Sequence, residues 1–538
     1  MQKTAKRFFF ILISVLLLSC SPSDNGQDGG VTKEIRRVRN LVIGSVMEIA
    51  DISYFDKGLD RFKFTVTHYG LVRFDKDGGI IPALAESWET ADLKRWVFHL
   101  RKNALWHDGE PVTSKDIAYT FEFGKKHVMY WESAYGDIIS VEAPDPLTVV
   151  IEIENPDYNF LTTIALLRPV PAHIFRQVED PKRYNDEKAL VGTGPFAFDS
   201  FDREAGIARF TAFDGYWDGK PEIDALEVRL FRNQETMMMA LQKGQIDVPY
   251  TYAKGASYYY VPSLMKNRNI DYMVVKGHGH GNVLWINNSC KPLNDRRFRQ
   301  ALSYALNYEE IGKLFTAGYG ALPDAGFAPE STWGYIPTRK MVFDLEKSKR
   351  MMDAAGFSDR DGDGFRESPD GAAMDLTLVA SSELPDQVRL GEMLEKYLAD
   401  AGVKVTVKLA NASTFSTIID VDRSFDIFVH GTTPWGMNMG AGYGSGYVAT
   451  LYYGWSMVSA PDYEALIDEL KTTRDKEGRR ALAKRIQRYY ADEMTQIPLY
   501  NLEIIQPHTR KYEGWVYSTY CGVLCPETFY NLHPAREP

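Results

Sequence analysis

Cysteine is scarce in this sequence, with four residues in 538, at positions 20, 290, 521 and 525. So few can build neither a thiolate-rich metal cluster nor a disulfide-stapled miniature fold. Excess positive charge is missing as well. Lys and Arg number 62 against 72 Asp and Glu, a formal net charge of −10. Without the basic residues Lys3, Lys6 and Arg7 the balance is 59 − 72 = −13. A surface so acidic repels phosphate backbones and anionic lipid, which argues against a nucleic-acid partner. After Leu18 no apolar run approaches the roughly 20 residues of a spanning helix. Catalytic signatures are absent too: there is no Gly-x-Ser-x-Gly elbow and no His-Glu-x-x-His helix, and Asp and Glu are too plentiful for a catalytic pair to stand out. An exported hydrolase, the rival from another class, needs a positioned nucleophile and base. The chain is therefore read as a non-enzyme that requires no cofactor.

The start of the chain is informative. Lys3, Lys6 and Arg7 form a basic n-region, and Phe8 to Leu18 is apolar except for Ser14, which is the pattern of a secretory signal. It ends in Leu17-Leu18-Ser19-Cys20, which resembles the lipobox of bacterial lipoproteins. That resemblance implies a signal peptide over 1–20 and lipidation at Cys20. Residues 21–35 then read as a flexible tether, the stretch Ser21 to Gly30 being small, polar and Gly-rich. The expected product is an extracytoplasmic protein held to the membrane by its lipid alone. Of the remaining cysteines, Cys521 and Cys525 stand close enough in sequence for a local disulfide, and three buried thiols are the equal alternative.

Farther along, the pattern alternates between strand and helix. Trp96, Phe98 and Leu100 share one strand face, as do Val149, Ile151 and Ile153, and Leu226, Val228 and Leu230. Phe298, Ala301, Leu302, Ala305 and Leu306 fall at helical spacing behind the capping candidates Asn294 and Asp295. Leu390 to Ala401 forms a second amphipathic helix stopped by Gly402, and Val403, Val405, Val407 and Leu409 follow as a strand. A helix passing straight into a strand is the α/β signature. A helical stretch from Asp462 to about Glu493 is interrupted around Asp475 to Gly478.

Ordered blocks carry a family resemblance. They run from Tyr69-Gly70-Leu71-Val72 through Ile81 to Trp88, Trp106-His107-Asp108-Gly109-Glu110-Pro111 and Val191-Gly192-Thr193-Gly194-Pro195-Phe196. Tyr216 to Pro221, Ala240 to Asp247 and Pro292 to Ala305 complete them. This resembles the extracytoplasmic solute-binding proteins of ABC importers, the family of oligopeptide-, dipeptide- and nickel-binding proteins. The resemblance implies an α/β, two-lobed clamp of the periplasmic-binding-protein type (type II, cluster C-like), with an extra domain inserted in the N-terminal lobe. Mapped here, lobe I takes 36–75, 190–280 and 505–538, the insert 76–189, and lobe II 281–504. It implies a monomer that captures a small solute, foremost a peptide or peptide-like compound, and delivers it to a permease and ATPase complex. A nickel or metal-chelate binder is the alternative within the family.

By the same resemblance, ligand contacts are expected from two stretches. The insert offers Tyr130, Trp131 and Tyr135, which equally suit its own core. The second lobe offers the loop after Phe425 to Val429, with His430, Thr432, Trp435, Gly436, Met437 and Tyr443. Peptide binders place an acidic residue in this loop to meet the ligand's ammonium, yet none occurs between Asp426 and Asp462. A buried ammonium left unpaired costs several kcal/mol, about 3–5, so a modified peptide, a sugar or a chelated metal stays open. His278, His280 and His430 suit either solvated turns or a metal chelate. Separately, Asp359, Asp361, Asp363, Glu367 and Asp370 around Gly364 match the spacing of an EF-hand-type loop for a structural Ca2+, or else an acidic surface turn.

Overall fold

The computed structural model describes residues 37–538 except 57–58, 60–61, 128–136, 252–254, 329, 331–333, 433–455, 459, 519–520 and 536–538. Three sheets organise the unit that begins at Arg37. In the first, Leu41–Ser45 lies parallel to both Ala225–Leu230 and Val248–Tyr250, and Ile207–Ala212 and Phe196–Asp202 continue it antiparallel. The parallel strands are covered on both faces, so Ile43, Gly44 and Ser45 in succession, and Leu226, Glu227 and Val228, are buried without strict alternation.

The insert is an antiparallel sheet of Ala85–Thr90, Arg95–Leu100, Thr148–Ile153 and Ile138–Asp145. Its alternation is clean. Trp96, Phe98, Leu100, Val149, Ile151 and Ile153 bury one face together with Ile117 and Phe121 of the helix Ser114–Lys126. That helix starts at a capping box in which the Asp116 carboxylate accepts from the Thr113 amide at 2.9 Å.

The second-lobe sheet runs Lys404–Ala410, Asp375–Ser381, Ile427–His430, Ile270–Ile286, Gln496–Thr509. The helix Pro385–Asp400 crosses between two parallel strands and ends at Gly402, whose φ of +79° is the left-handed stop a residue without Cβ accepts. Asp295 caps the helix Arg296–Ala305, accepting from the Arg297 amide at 2.8 Å. The helical stretch after 461 is broken into Pro461–Thr472 and Lys476–Glu493, with Asp475 capping the second piece.

Two long strands connect the lobes. Ile270–Ile286 pairs antiparallel with Gln496–Thr509 from Ile270 to Val275 and again from Gly279 to Trp285, with register shifts between Val275 and Gly279 and on either side of Asn282. Their outer ends lean on the first lobe, where Gln506 donates to the Pro249 carbonyl at 2.8 Å and the Thr509 amide to the Asp247 carbonyl at 2.7 Å. Their inner ends lie within the second-lobe sheet. Bulges bend strands and raise their twist, so the paired strands change direction where one lobe gives way to the other.

Blocks distant in sequence meet as scaffold. His107 donates from Nε2 to the Gly194 carbonyl at 3.0 Å and accepts at Nδ1 from the Gly192 amide at 3.1 Å. Burial pushes its imidazole down to about 4, so the ring stays neutral in the tautomer those two bonds demand. A Cβ on Gly192 or Gly194 would collide with the carbonyls of Thr67 and Val66. The insert is thereby seated on the first lobe.

Candidate ligand site

The second-lobe loop leaves the sheet at His430 and is clipped to the bent strand pair before residue 433. The Thr432 amide donates to the His280 carbonyl at 3.1 Å, and Thr432 Oγ1 accepts from the His280 amide at 2.9 Å. Trp285 Nε1 donates to the His430 carbonyl at 3.0 Å, and Gly431 lies so close to the Gly281 carbonyl that a Cβ would overlap it. The loop's origin is thus rigidly fixed to the place where the lobes join.

Two of the expected second-lobe residues, His430 and Thr432, therefore stand at the junction. The His430 ring is half-buried, with Nδ1 2.8 Å from the Gly431 carbonyl and the ring 5.9 Å from Phe415. Trp435, Gly436, Met437 and Tyr443, like Tyr130, Trp131 and Tyr135 of the insert, lie outside the described residues.

His280 is committed to the junction. Its Nδ1 lies 2.6 Å from Asn501 Oδ1, and its ring stacks on Phe327 at 4.5 Å. Burial pushes it down to about 4, leaving a neutral imidazole. Beside it Asn282 donates to the Tyr500 hydroxyl at 2.8 Å. The solvated turn or metal ligand expected at His280 is instead a buried strut between paired strands. Its partner Asn501 is 221 residues away, and no local signal announces it.

On the first lobe, the loop after Leu41–Ser45 leaves the C-terminal end of a parallel strand, where α/β sheets commonly receive ligands. Asp56 knots this loop, accepting from the amides of Ala50 at 3.0 Å and Leu59 at 2.8 Å. A cavity of about 350 Å³ opens there, lined by Glu48, Asp51, Ser53, Phe55, Asp56 and Lys182. Sequence analysis had not marked these residues. Glu48, Asp51 and Asp56 make the lining acidic, with Lys182 as its one cation. Next to it, Phe55 stacks on Phe123 at 6.0 Å, and His127 lies 4.7 Å from the same ring. In sequence, His127 directly precedes the stretch that carries Tyr130, Trp131 and Tyr135.

The acidic loop lies apart from the junction. Asp359, Asp361 and Asp363 bring carboxylate oxygens within 4.8 Å of one another, and they are exposed. Asp359 accepts from the amides of Gly362 and Gly364 at 2.7 and 3.0 Å, while Glu367 accepts from the Arg360 amide at 2.8 Å. Asp370 turns to Lys291 at 2.9 Å and to the Ser368 hydroxyl, contacts that hold its carboxyl far below the ordinary range. Among the described residues no other group of three or more His, Cys, Asp or Glu comes close enough to share an ion.

Cys290, Cys521 and Cys525 are thiols. Burial pushes Cys525 up to about 12, so it is a poor nucleophile. No described helix is long and apolar enough to cross a membrane.

Comparison with known proteins agrees with this architecture. The family model of bacterial extracellular solute-binding proteins, family 5, matches residues 79–450. The dipeptide-binding protein of Escherichia coli K12 is 27% identical over 473 residues, covering 81% of this chain and 84% of that protein. The oligopeptide-binding protein AppA of Bacillus subtilis is 24% identical, covering 77% of each. The nickel-binding periplasmic protein of E. coli K12 is 24% identical over 64% of this chain and 66% of its own length. In structure, the Bacillus AppA complex with a nonapeptide superposes with a TM-score of 0.73 at 20% identity, covering 94% of this chain and all of that one (100%). An oligopeptide-binding protein of an ABC transporter from Thermotoga maritima reaches 0.77 at 20% identity, covering 92% and 99%. With two lobes joined by a pair of long strands, an inserted sheet and a family match over most of its length, this chain belongs to the extracytoplasmic solute-binding proteins of family 5.

Proposed function

We propose that the protein captures a peptide or peptide-like compound between its lobes and hands it to an ABC permease and ATPase complex. The observation that carries this reading is the family match over residues 79–450, combined with the relatedness to a dipeptide-binding protein along 81% of the chain. A ligand that touches both lobes only when they are closed draws the protein shut by the excess of closed-state over open-state affinity. With no acid in the second-lobe loop, a ligand ammonium is met from the first lobe, by Glu48 or Asp51 at the cavity beside Phe55. Binding and release are the whole of the protein's chemistry.

The mature chain starts at Cys20, carries lipid there, and works as a monomer outside the cytoplasm, held to the bacterial membrane, on its periplasmic side or at the cell surface, by that lipid. Support comes from the basic and apolar leader that stops at Leu17-Leu18-Ser19-Cys20. Incorporation of a clickable palmitate analogue that disappears in Cys20→Ser tests it.

Native mass spectrometry of the protein as purified, followed by calorimetry with defined di- and tripeptides, tests the ligand class. A retained peptide, with Glu48→Gln weakening free-amino peptides more than N-acetylated ones, is the expected result. Retention of a nickel–histidine complex, with peptides silent, would replace the peptide reading by the metal-chelate one.

A further inference from the structure

The insert touches the second lobe as well as the first. Its segment Asp157-Tyr158-Asn159 precedes the short helix Phe160–Ile164 and faces the turn between Pro461–Thr472 and Lys476–Glu493. The Tyr158 amide donates to the Lys471 carbonyl at 2.7 Å. Arg479, 2% exposed, donates from Nη2 to Asn159 Oδ1 at 2.7 Å while its guanidinium lies 4.4 Å from the centre of the Tyr158 ring. A third bond runs from Arg474 to the Ala91 carbonyl at 2.6 Å.

The insert is fastened to the first lobe independently, through His107 on the 192–194 turn, Arg101 over the Trp217 ring at 4.3 Å and Tyr54 on the Arg168 carbonyl at 3.0 Å. On the two-lobed capture reading, the second lobe turns relative to that assembly about the bent strand pair. Opening the lobes therefore pulls 471–479 away from 157–159. The cost is concrete: a buried guanidinium loses a hydrogen bond and a ring face, and an amide and a carbonyl lose each other.

We propose that Tyr158 and Asn159 of the insert and Arg479 of the second lobe form a latch that holds the closed clamp independently of the ligand. The latch builds on the two-lobed capture reading but uses none of its ligand contacts. A solute then has less to supply, because the latch contributes part of the closing free energy, and release requires the latch to part.

The test is made without added ligand, so it stands whatever the solute proves to be. Hydrogen exchange at the Tyr158 amide reads the latch directly, because its acceptor is on the other lobe. Asn159→Ala is expected to speed that exchange by about tenfold, as the loss of one charge-assisted bond would. Asn159→Asp, which places a carboxylate against the guanidinium, slows it. The amides of Val149 and Ile151, deep in the insert's sheet, keep their wild-type rates in both variants. Paired spin labels at Glu142→Cys and Glu477→Cys, with Cys290, Cys521 and Cys525 replaced by Ser, add the domain readout: the separation lengthens in Asn159→Ala and shortens in Asn159→Asp. Unchanged Tyr158 exchange in both variants, or an unchanged label separation, overturns the latch. Where Asn159→Ala loosens the whole insert, Asn159→Asp decides alone, and its failure to slow Tyr158 exchange overturns it equally.

Discussion

Arg299 and Arg479 sit in two regions of the molecule and do the same local chemistry with different mechanical standing. Each is a buried arginine that ends a helix by donating to carbonyls left without intrahelical partners. Arg299 reaches the Glu493 carbonyl at 2.8 Å and the Leu293 carbonyl at 2.9 Å, all within the second lobe. Arg479 reaches the Leu470 carbonyl at 2.7 Å and the Thr473 carbonyl at 3.2 Å, and then spends its outer nitrogen on Asn159, across a domain boundary. An arginine satisfied within one rigid body maintains that body. One that divides its donors between two bodies also sets how often they meet.

Removing Arg299 is the largest change expected. Arg299→Ala leaves buried carbonyls of the helix Lys476–Glu493 unpaired, a cost of about 3 kcal/mol. Thermal unfolding shows it as a clear fall in Tm. Closure measured by the spin-label pair stays as in the wild type under conditions where both are folded, because no bond of Arg299 crosses the junction.

Arg479→Lys inverts that pattern. A lysine keeps the charge but lacks the planar fork that spans both lobes' acceptors, so stability falls by only about 1 kcal/mol. Exchange at the Tyr158 amide, by contrast, accelerates several-fold, roughly three to ten times. An equal loss of stability in Arg299→Ala and Arg479→Lys, with Tyr158 exchange untouched, would erase the distinction between the two arginines. Trp435→Ala separates a third contribution. It should weaken peptide retention by roughly 1 to 3 kcal/mol when the ring lines a desolvated pocket. Calorimetry reads that loss, and the ligand-free label separation stays unchanged.

The comparison also marks what the sequence could disclose. The alternation of Trp96, Phe98 and Leu100, the cap at Asp295, the helix stop at Gly402 and the break before Lys476 are local, and each reappears in the structure as read. Local periodicity records which face of an element is buried, so the α/β class and the positions of these elements were legible. The partners of His280, His107 and Arg479 were not. Asn159 and Arg479 are 320 residues apart, and a polar side chain in a strand or helix turn reads the same whether it faces water or another domain. The cavity at Glu48 and Asp51 was equally hidden, because it depends on how Asp56 knots the loop.

The smallest effect expected concerns Asp157, which lies beside the latch and is only half-buried. Desolvation raises its carboxyl to about 6; Lys471 and Arg479 across the boundary, and the bond from the Asn159 amide at 2.8 Å, pull it down, while Asp137 pushes it up. Parting the latch returns Asp157 to water and to an ordinary value near 4. The latched form thus holds its proton over a pH range where the parted form has lost it. For an acid raised in this way, the contribution to closure is complete below about pH 4 and is lost as the pH climbs through about 6. Solvent screening at a half-exposed site trims the effect, so the closed fraction should fall only about two- to fivefold between pH 4.5 and 7. Asp157→Asn keeps an acceptor for the Asn159 amide but cannot titrate, and the label separation should then be flat across that range. A pH dependence that survives in Asp157→Asn would move the titrating group elsewhere.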